Sequence, residues 1–207
     1  MAAGRTDRGV HARGQVAHFD SDAVRPESAW VRGANAFLPD RVAVLWSREV
    51  PAEFHARHSA IARTYRYRLL NRPVRPGLEA GRVGWFHAPL DVEAMREAAK
   101  ALLGEHDFSA FRAAECQAKT PVRTIHALEI SRSQERVEFV VKANAFLHHM
   151  VRNLVGSLVY VGCARQPAAW IGELLASRDR TRAAPTFGAE GLVLEKVDYD
   201  AVWGLPR

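Results

Sequence analysis

The string Gly4-Arg5-Thr6-Asp7-Arg8-Gly9-Val10-His11 sets one carboxylate between two guanidinium groups and brackets them with glycines. Glycine permits a tight backbone and the close approach of a ligand. A carboxylate can act as a nucleophile or a base, and arginine suits an anion. The Gly-x-x-x-x-Gly-Lys-Ser/Thr order of a phosphate loop is missing, as is the third glycine of a dinucleotide fingerprint. By spacing alone, a surface turn in which Asp7 bonds its own backbone is the stronger reading. A cradle for a small phosphorylated metabolite is another. His11 is read as packing or bonding within the loop, with acid–base work as the alternative.

Other reactive side chains point less clearly. His148-His149 invites a metal reading, which we set aside because adjacent histidines on a helix point in different directions and no Cys or His-x-x-x-His spacing supports them. Cys116 and Cys163 make neither a disulfide framework nor a zinc pattern and are expected to be buried and inert. Neither a metal nor a cofactor is expected. The 207 residues, 48% hydrophobic, suffice for a proper core, and 29 Lys and Arg against 23 Asp and Glu leave a net charge of +6. That balance suits an anionic partner, nucleic acid first, and equally describes a basic surface of no special use. No apolar run approaches the roughly 20 residues of a membrane span, and the opening residues lack the apolar core of a signal peptide. A reducing cytoplasm fits.

The elements that must position these groups follow from periodicity. Residues 15–19 and 42–46 read as short strands, 26–38 as an amphipathic helix, and 51–59 as a linker without a period. In residues 61–70, Tyr65, Tyr67 and Leu69 alternate with Arg66 and Arg68, giving a strand with one aromatic and one basic face. Asp91 caps a helix carrying Met95, Ala98, Ala99, Leu102 and Leu103, with Gly104 as its stop. Residues 123–131 and 137–145 form a hairpin about Ser133-Gln134-Glu135. A helix should follow directly, with Leu147, Met150, Val151, Leu154, Val155 and Leu158 inward and His148, Arg152 and Asn153 off the apolar face. A short helix over 167–176 and a strand over 192–197 complete the chain. Interleaved strands, hairpins and helices predict an α+β fold, with antiparallel or mixed sheets and helices on one face.

Taken whole, Gly4-Arg5-Thr6-Asp7-x-Gly9-Val10-His11-Ala12, with Gln15-Val16 after it, resembles the catalytic motif of the TruA family of tRNA pseudouridine synthases. Two distant segments agree: Phe54-His55-Ala56-Arg57 leading to Tyr65-Arg66-Tyr67, and Asn144-Ala145-Phe146 leading to Met150-Val151-Arg152-Asn153 with Gly156. Ala189-Glu190-Gly191-Leu192 with Leu194 is similar to the family's closing strand. The resemblance implies an isomerase without metal or cofactor that converts uridine to pseudouridine in the anticodon stem-loop of tRNA, at positions 38, 39 and 40. It implies a homodimer with the pseudouridine synthase fold of two ferredoxin-like-type domains. Residues 1–53 would be the N-terminal domain, carrying the catalytic loop but lacking a strand–helix unit that the family places before it, and 54–207 the C-terminal domain. By the same resemblance Asp7 is the catalytic aspartate, Arg5 helps extrude the target base, Tyr65 stacks on it and Arg152 is the basic partner of Asp7. The implied RNA contacts are Arg5, Arg25, Phe54, His55, Ala56, Arg57 and His58, and then Glu115, Cys116, Gln117, Ala118 and Lys119.

These residue types suit that reaction. The N1–C1′ bond must break, the uracil must rotate, and C5 must bond to C1′. A carboxylate can attack C6 or the sugar carbon, or take a proton from the sugar. Burial alone disfavours an ionised carboxylate, and a permanently charged guanidinium in bidentate contact would correct this. Flipping the base out of its stack costs a few kcal/mol, against which an aromatic face returns about 1 to 3 kcal/mol. Arg66, Arg68, Arg72 and Arg75 would make a phosphate track beside Tyr65, since RNA stems are held mainly by backbone and shape. The competing readings are a non-catalytic tRNA-binding fragment and an enzyme of a small phosphorylated metabolite.

Overall fold

The computed structural model describes residues 1–206. In chain order its strands are β1 (His11–Ala12), β2 (Ala60–Asn71), β3 (Gly84–Phe86), β4 (Gly104–Asp107), β5 (Val122–Ser133), β6 (Arg136–Ala143) and β7 (Leu192–Tyr199). Its α-helices are α1 (Glu27–Phe37), α2 (Val92–Ala99), α3 (Met150–Gly162) and α4 (Trp170–Ser177). One sheet runs in the order β1-β7-β2-β6-β5-β4, with β3 joined to β2 beyond the end of β7. The β1–β7 and β2–β3 pairs are parallel and the rest antiparallel, so the α+β expectation holds with a mixed sheet.

Strict alternation places the core. Val137, Phe139, Val141 and Ala143 of β6 are buried with Tyr67 and Leu69 of β2, and α2, α3 and α4 pack over them. Ile125 and Ile130 lie five positions apart on β5, which would put them on opposite faces. A bulge between Ile125 and Ala127 returns both to the helix side. Phe139 is fully buried here, and truncating such a side chain costs about 3–5 kcal/mol. Asp91 accepts from the Ala94 N–H at 3.0 Å and caps α2 as its position predicts. Gly104, at φ +92°, leaves the short 3-10 turn that continues α2 and opens β4.

Several local expectations give way. Residues 15–19 contribute only the bridge between Ala2 and Ala17. Residues 42–46 form no strand: Val44 exchanges both backbone groups with the Asn35 side chain, at 2.7 and 2.9 Å. Helix α1 is present yet has no buried residue. The 51–59 segment is more than a linker, because Phe54 and Ala56 enter a second apolar cluster with Ala3, Leu194 and Val197. A turn that inserts two side chains has no period to reveal it. Asn153 is also fully buried, donating to Phe111 O at 2.8 Å and accepting from Thr186 Oγ1 at 2.7 Å and from Arg180 at 3.2 Å. Its polar groups find partners inside, so the apolar stripe alone misplaces it. No helix among the described residues is long and apolar enough to cross a membrane.

Candidate active site

The Gly4-to-His11 string is held at three points. Ala3 N–H donates to Val16 O at 2.8 Å, Gln15 Nε2 to Gly4 O at 2.8 Å, and β1 pairs with β7 through His11 and Val193. Val10 N–H donates to Asp7 O at 3.0 Å, closing a turn in which Gly9 takes φ +86°. Positive φ at the third turn residue is the position that favours glycine. The string is therefore a turn, but the Asp7 carboxylate is free of its own backbone. His11 bonds outside the loop, to Gly81 O at 2.8 Å.

Asp7 meets Arg152 from 145 positions away: Arg152 Nη1 donates to Asp7 Oδ2 at 3.0 Å. The contact is not bidentate. Arg152 Nε donates instead to Phe187 O at 2.8 Å, while Phe187 N–H donates back to Arg152 O at 3.3 Å. Held at two points, the guanidinium presents one nitrogen to the carboxylate. One helical turn on, Gly156 makes this possible, since a Cβ there would stand 2.5 Å from Pro185 O. Gly156→Ala is accordingly expected to lift the 185–187 segment from α3, destabilise the fold by about 1–3 kcal/mol and lower turnover. Chemical denaturation checks this; an unchanged midpoint would deny that the segment is seated through Gly156.

His148 and His149 also reach Asp7, with His148 Nε2 at 3.2 Å from Oδ1 and His149 Nε2 at 3.1 Å from Oδ2. This corrects the view that adjacent histidines must diverge. Helix α3 begins only at Met150, and His149 sits ahead of it at φ +60°. That left-handed conformation costs an L residue roughly 1–2 kcal/mol. It brings the two rings together, with centroids 3.9 Å apart. Burial lowers the pKa of His149 from the usual imidazole range, opposed by the Asp7 charge.

Tyr65 stands edge-on to Phe146, with centroids 5.0 Å apart, where the two apolar clusters meet. Burial pushes its phenol up to about 12, with Arg63 opposing and Asp7 adding to the rise. The hydroxyl is neutral at physiological pH. Arg63, which no sequence pattern marked, gathers the surrounding backbone by donating to Arg57 O at 2.7 Å, Asn144 O at 2.9 Å and Ala3 O at 3.4 Å. An arginine on a strand has no local signature that separates this role from a solvated charge.

Known proteins bear on this geometry. A family model described as tRNA pseudouridine synthase matches residues 98–200. The tRNA pseudouridine synthase A of Nitrosomonas eutropha is 58% identical over 206 residues, covering 100% of this chain and 74% of its own length. That of Thiobacillus denitrificans is 60% identical over 206 residues, covering 100% of this chain and 79% of its own. The chain belongs to the tRNA pseudouridine synthase A family.

In this member of the family, an enzyme family of isomerases, the segments singled out in the sequence fall unequally about Asp7. Residues Glu115, Cys116, Gln117, Ala118 and Lys119 flank the site: the Cys116 sulfur accepts from His148 N–H at 3.4 Å, and Glu115 Oε2 is 3.9 Å from His148 Nδ1. Arg112 secures their backbone by donating to Cys116 O and Ala118 O. His55, Arg57 and His58 stay at the surface while Phe54 and Ala56 are core, and His18 Nδ1 accepts from Ala56 N–H at 3.0 Å. Arg5 and Arg25 are exposed, the first in the loop that carries Asp7 and the second just ahead of α1. Cys116 is buried and Cys163 half-buried, both as free thiols.

The expected arginine track is largely neutralised. Arg66 pairs with Glu138 at 2.7 Å and Glu195 at 3.0 Å, Arg68 with Glu138 at 3.4 Å, and Arg72 with Glu135 at 3.3 Å. Cross-strand carboxylates lie far off in sequence, so the alternation that revealed the basic face could not reveal its partners. Arg75 instead lines a cavity of about 510 Å³ with Trp85, Tyr160, Phe187 and Glu190.

Proposed function

We propose that this chain isomerises uridine to pseudouridine in the anticodon stem-loop of tRNA, at positions 38, 39 and 40, with Asp7 as the catalytic carboxylate. The observation that carries the reading is the convergence of Arg152, His148 and His149 on Asp7 in a turn open to solvent on one side. Whichever atom Asp7 attacks, it must be ionised beside the uracil. A permanent cation 3.0 Å away pairs with the carboxylate, and its second bond to Phe187 O stops it from swinging away. Tyr65 offers an aromatic face at the site, and Arg5, exposed in the same loop, occupies the space of the extruded base while touching phosphate.

The division of labour follows: residues 1–53 carry the catalytic loop, and 54–207 carry Arg152, Tyr65 and the flanking RNA contacts Glu115 to Lys119. The enzyme acts as a cytoplasmic homodimer, a reading that rests on its family.

Bonding C5 to C1′ expels the hydrogen on C5, so tRNA carrying tritium at uridine C5 reports the reaction. Tritium release is expected from tRNA with uridines at 38 to 40 and not when those three are cytidine. Release unaffected by that exchange would refute the assigned position. Binding of tRNA without release would leave a binding fragment instead of an enzyme.

A further inference from the structure

Asp7, His148 and His149 make up a donor set that the isomerisation does not require as such. We infer that these three side chains form a site for a transition-metal dication of the zinc or nickel class, and that its occupancy shuts the enzyme off. The second half of this inference rests on Asp7 being the catalytic carboxylate.

The distances support it. Asp7 Oδ1 and His148 Nε2 are 3.2 Å apart, Asp7 Oδ2 and His149 Nε2 are 3.1 Å apart, and one ligand atom from each residue fits within a 4.8 Å spread. Zinc bonds of about 2.0–2.1 Å in tetrahedral geometry separate neighbouring donors by about 3.3 Å. The two short contacts use different carboxylate oxygens, so either oxygen holds one edge of such a tetrahedron nearly in place, and the remaining edges close from within the 4.8 Å spread by rotation of the carboxylate and the imidazoles. Both histidines turn Nε2 toward Asp7, and Glu115 Oε2, 3.9 Å from His148 Nδ1, needs a small side-chain shift to bond it. A carboxylate behind a ligating imidazole orients it.

Chemistry selects the ion. Two imidazoles and one carboxylate suit zinc, nickel or copper, whereas magnesium and calcium prefer all-oxygen shells. The side chains are 24%, 38% and 25% exposed, so an ion enters without opening the fold. Three protein ligands leave a fourth position to water. Arg152 opposes binding, since its charge stands 3.0 Å from the same carboxylate, and this holds the affinity below that of closed structural sites. A bound ion takes the Asp7 electron pairs and displaces the Arg152 contact, which removes the group that must act on the nucleotide.

The test titrates zinc chloride into the protein by calorimetry, in buffer with millimolar magnesium, beside the tritium-release assay. One zinc per chain is expected, with turnover halved near the measured Kd and restored by a chelator, and calcium without effect. His148→Ala and His149→Ala should each weaken zinc affinity about tenfold or more, with folding checked by circular dichroism. Arg152→Gln should tighten it, a gain that misfolding would not produce. Zinc affinity unchanged in both histidine variants, or placed on the His18, His55 and His58 group, would overturn the site. One zinc held through both histidines with turnover untouched would keep the site and instead refute the role of Asp7.

Discussion

Asp7→Asn is expected to abolish pseudouridine formation, by a factor on the order of 10⁴ or more, as for removal of a catalytic group that acts in concert with others. Binding of tRNA should scarcely change. The substitution is close to isosteric, and the loop turn uses the Asp7 carbonyl, not its side chain. Gly9 keeps its conformation, and Arg152 keeps its bond to Phe187 O. What is lost is the negative charge, and with it the nucleophile or base. Single-turnover tritium release measures the first quantity and fluorescence anisotropy with labelled tRNA the second. Retention of full activity by the variant would remove Asp7 from the chemistry.

Arg152→Ala should follow with a loss of about 10²–10³ in turnover, the usual cost of deleting a preorganised charge at a reacting centre. Two bonds go at once: the one that accompanies the Asp7 anion and the one that holds Phe187 O. With 15% of its side chain exposed, the guanidinium lies too deep to serve chiefly as a phosphate contact. Affinity for tRNA is therefore expected to change little. Arg152→Lys should recover only part of the rate, because an ammonium keeps the charge but not the planar fork that spans both acceptors. Measuring kcat and tRNA Kd on the same preparations decides the matter. Equal losses in the two would make Arg152 an RNA contact and not a partner of Asp7.

Regular elements were legible wherever one face is buried along their whole length. The alternation around Tyr65, Tyr67 and Leu69, the hairpin about Gln134, and the Asp91-capped helix all appear in the structure within a few residues of their expected ends. Strands of two to four residues, such as β1, β3 and β4, are too short to show a period and went unread. Phe54 and Ala56 are core without periodicity, and Asn153 is core without being apolar. Each needed a partner from another segment before its burial made physical sense. The arginines of β2 illustrate the same limit, since their charge is plain in the sequence while Glu138 and Glu195 reach them only through β6 and β7.

The loop around Asp7 divides along this line. Sequence alone determined the string itself, its likeness to a catalytic motif, and the likeness of the Met150-Val151-Arg152-Asn153 string to a second family segment, because residue identity and order are local properties. Spacing by itself described Gly4 to His11 as a turn, and a turn it is, closed by Asp7 O and Gly9. Tertiary structure decided where the carboxylate goes: away from its own backbone and onto Arg152, His148 and His149. It also decided that the arginine contact is single and not forked, and that two adjacent histidines act side by side. Those outcomes depend on one left-handed residue ahead of α3 and on a backbone carbonyl of Phe187 35 positions from Arg152. Periodicity carries information over a few residues; a contact across 145 positions is set only when the sheet and helix bring its ends together.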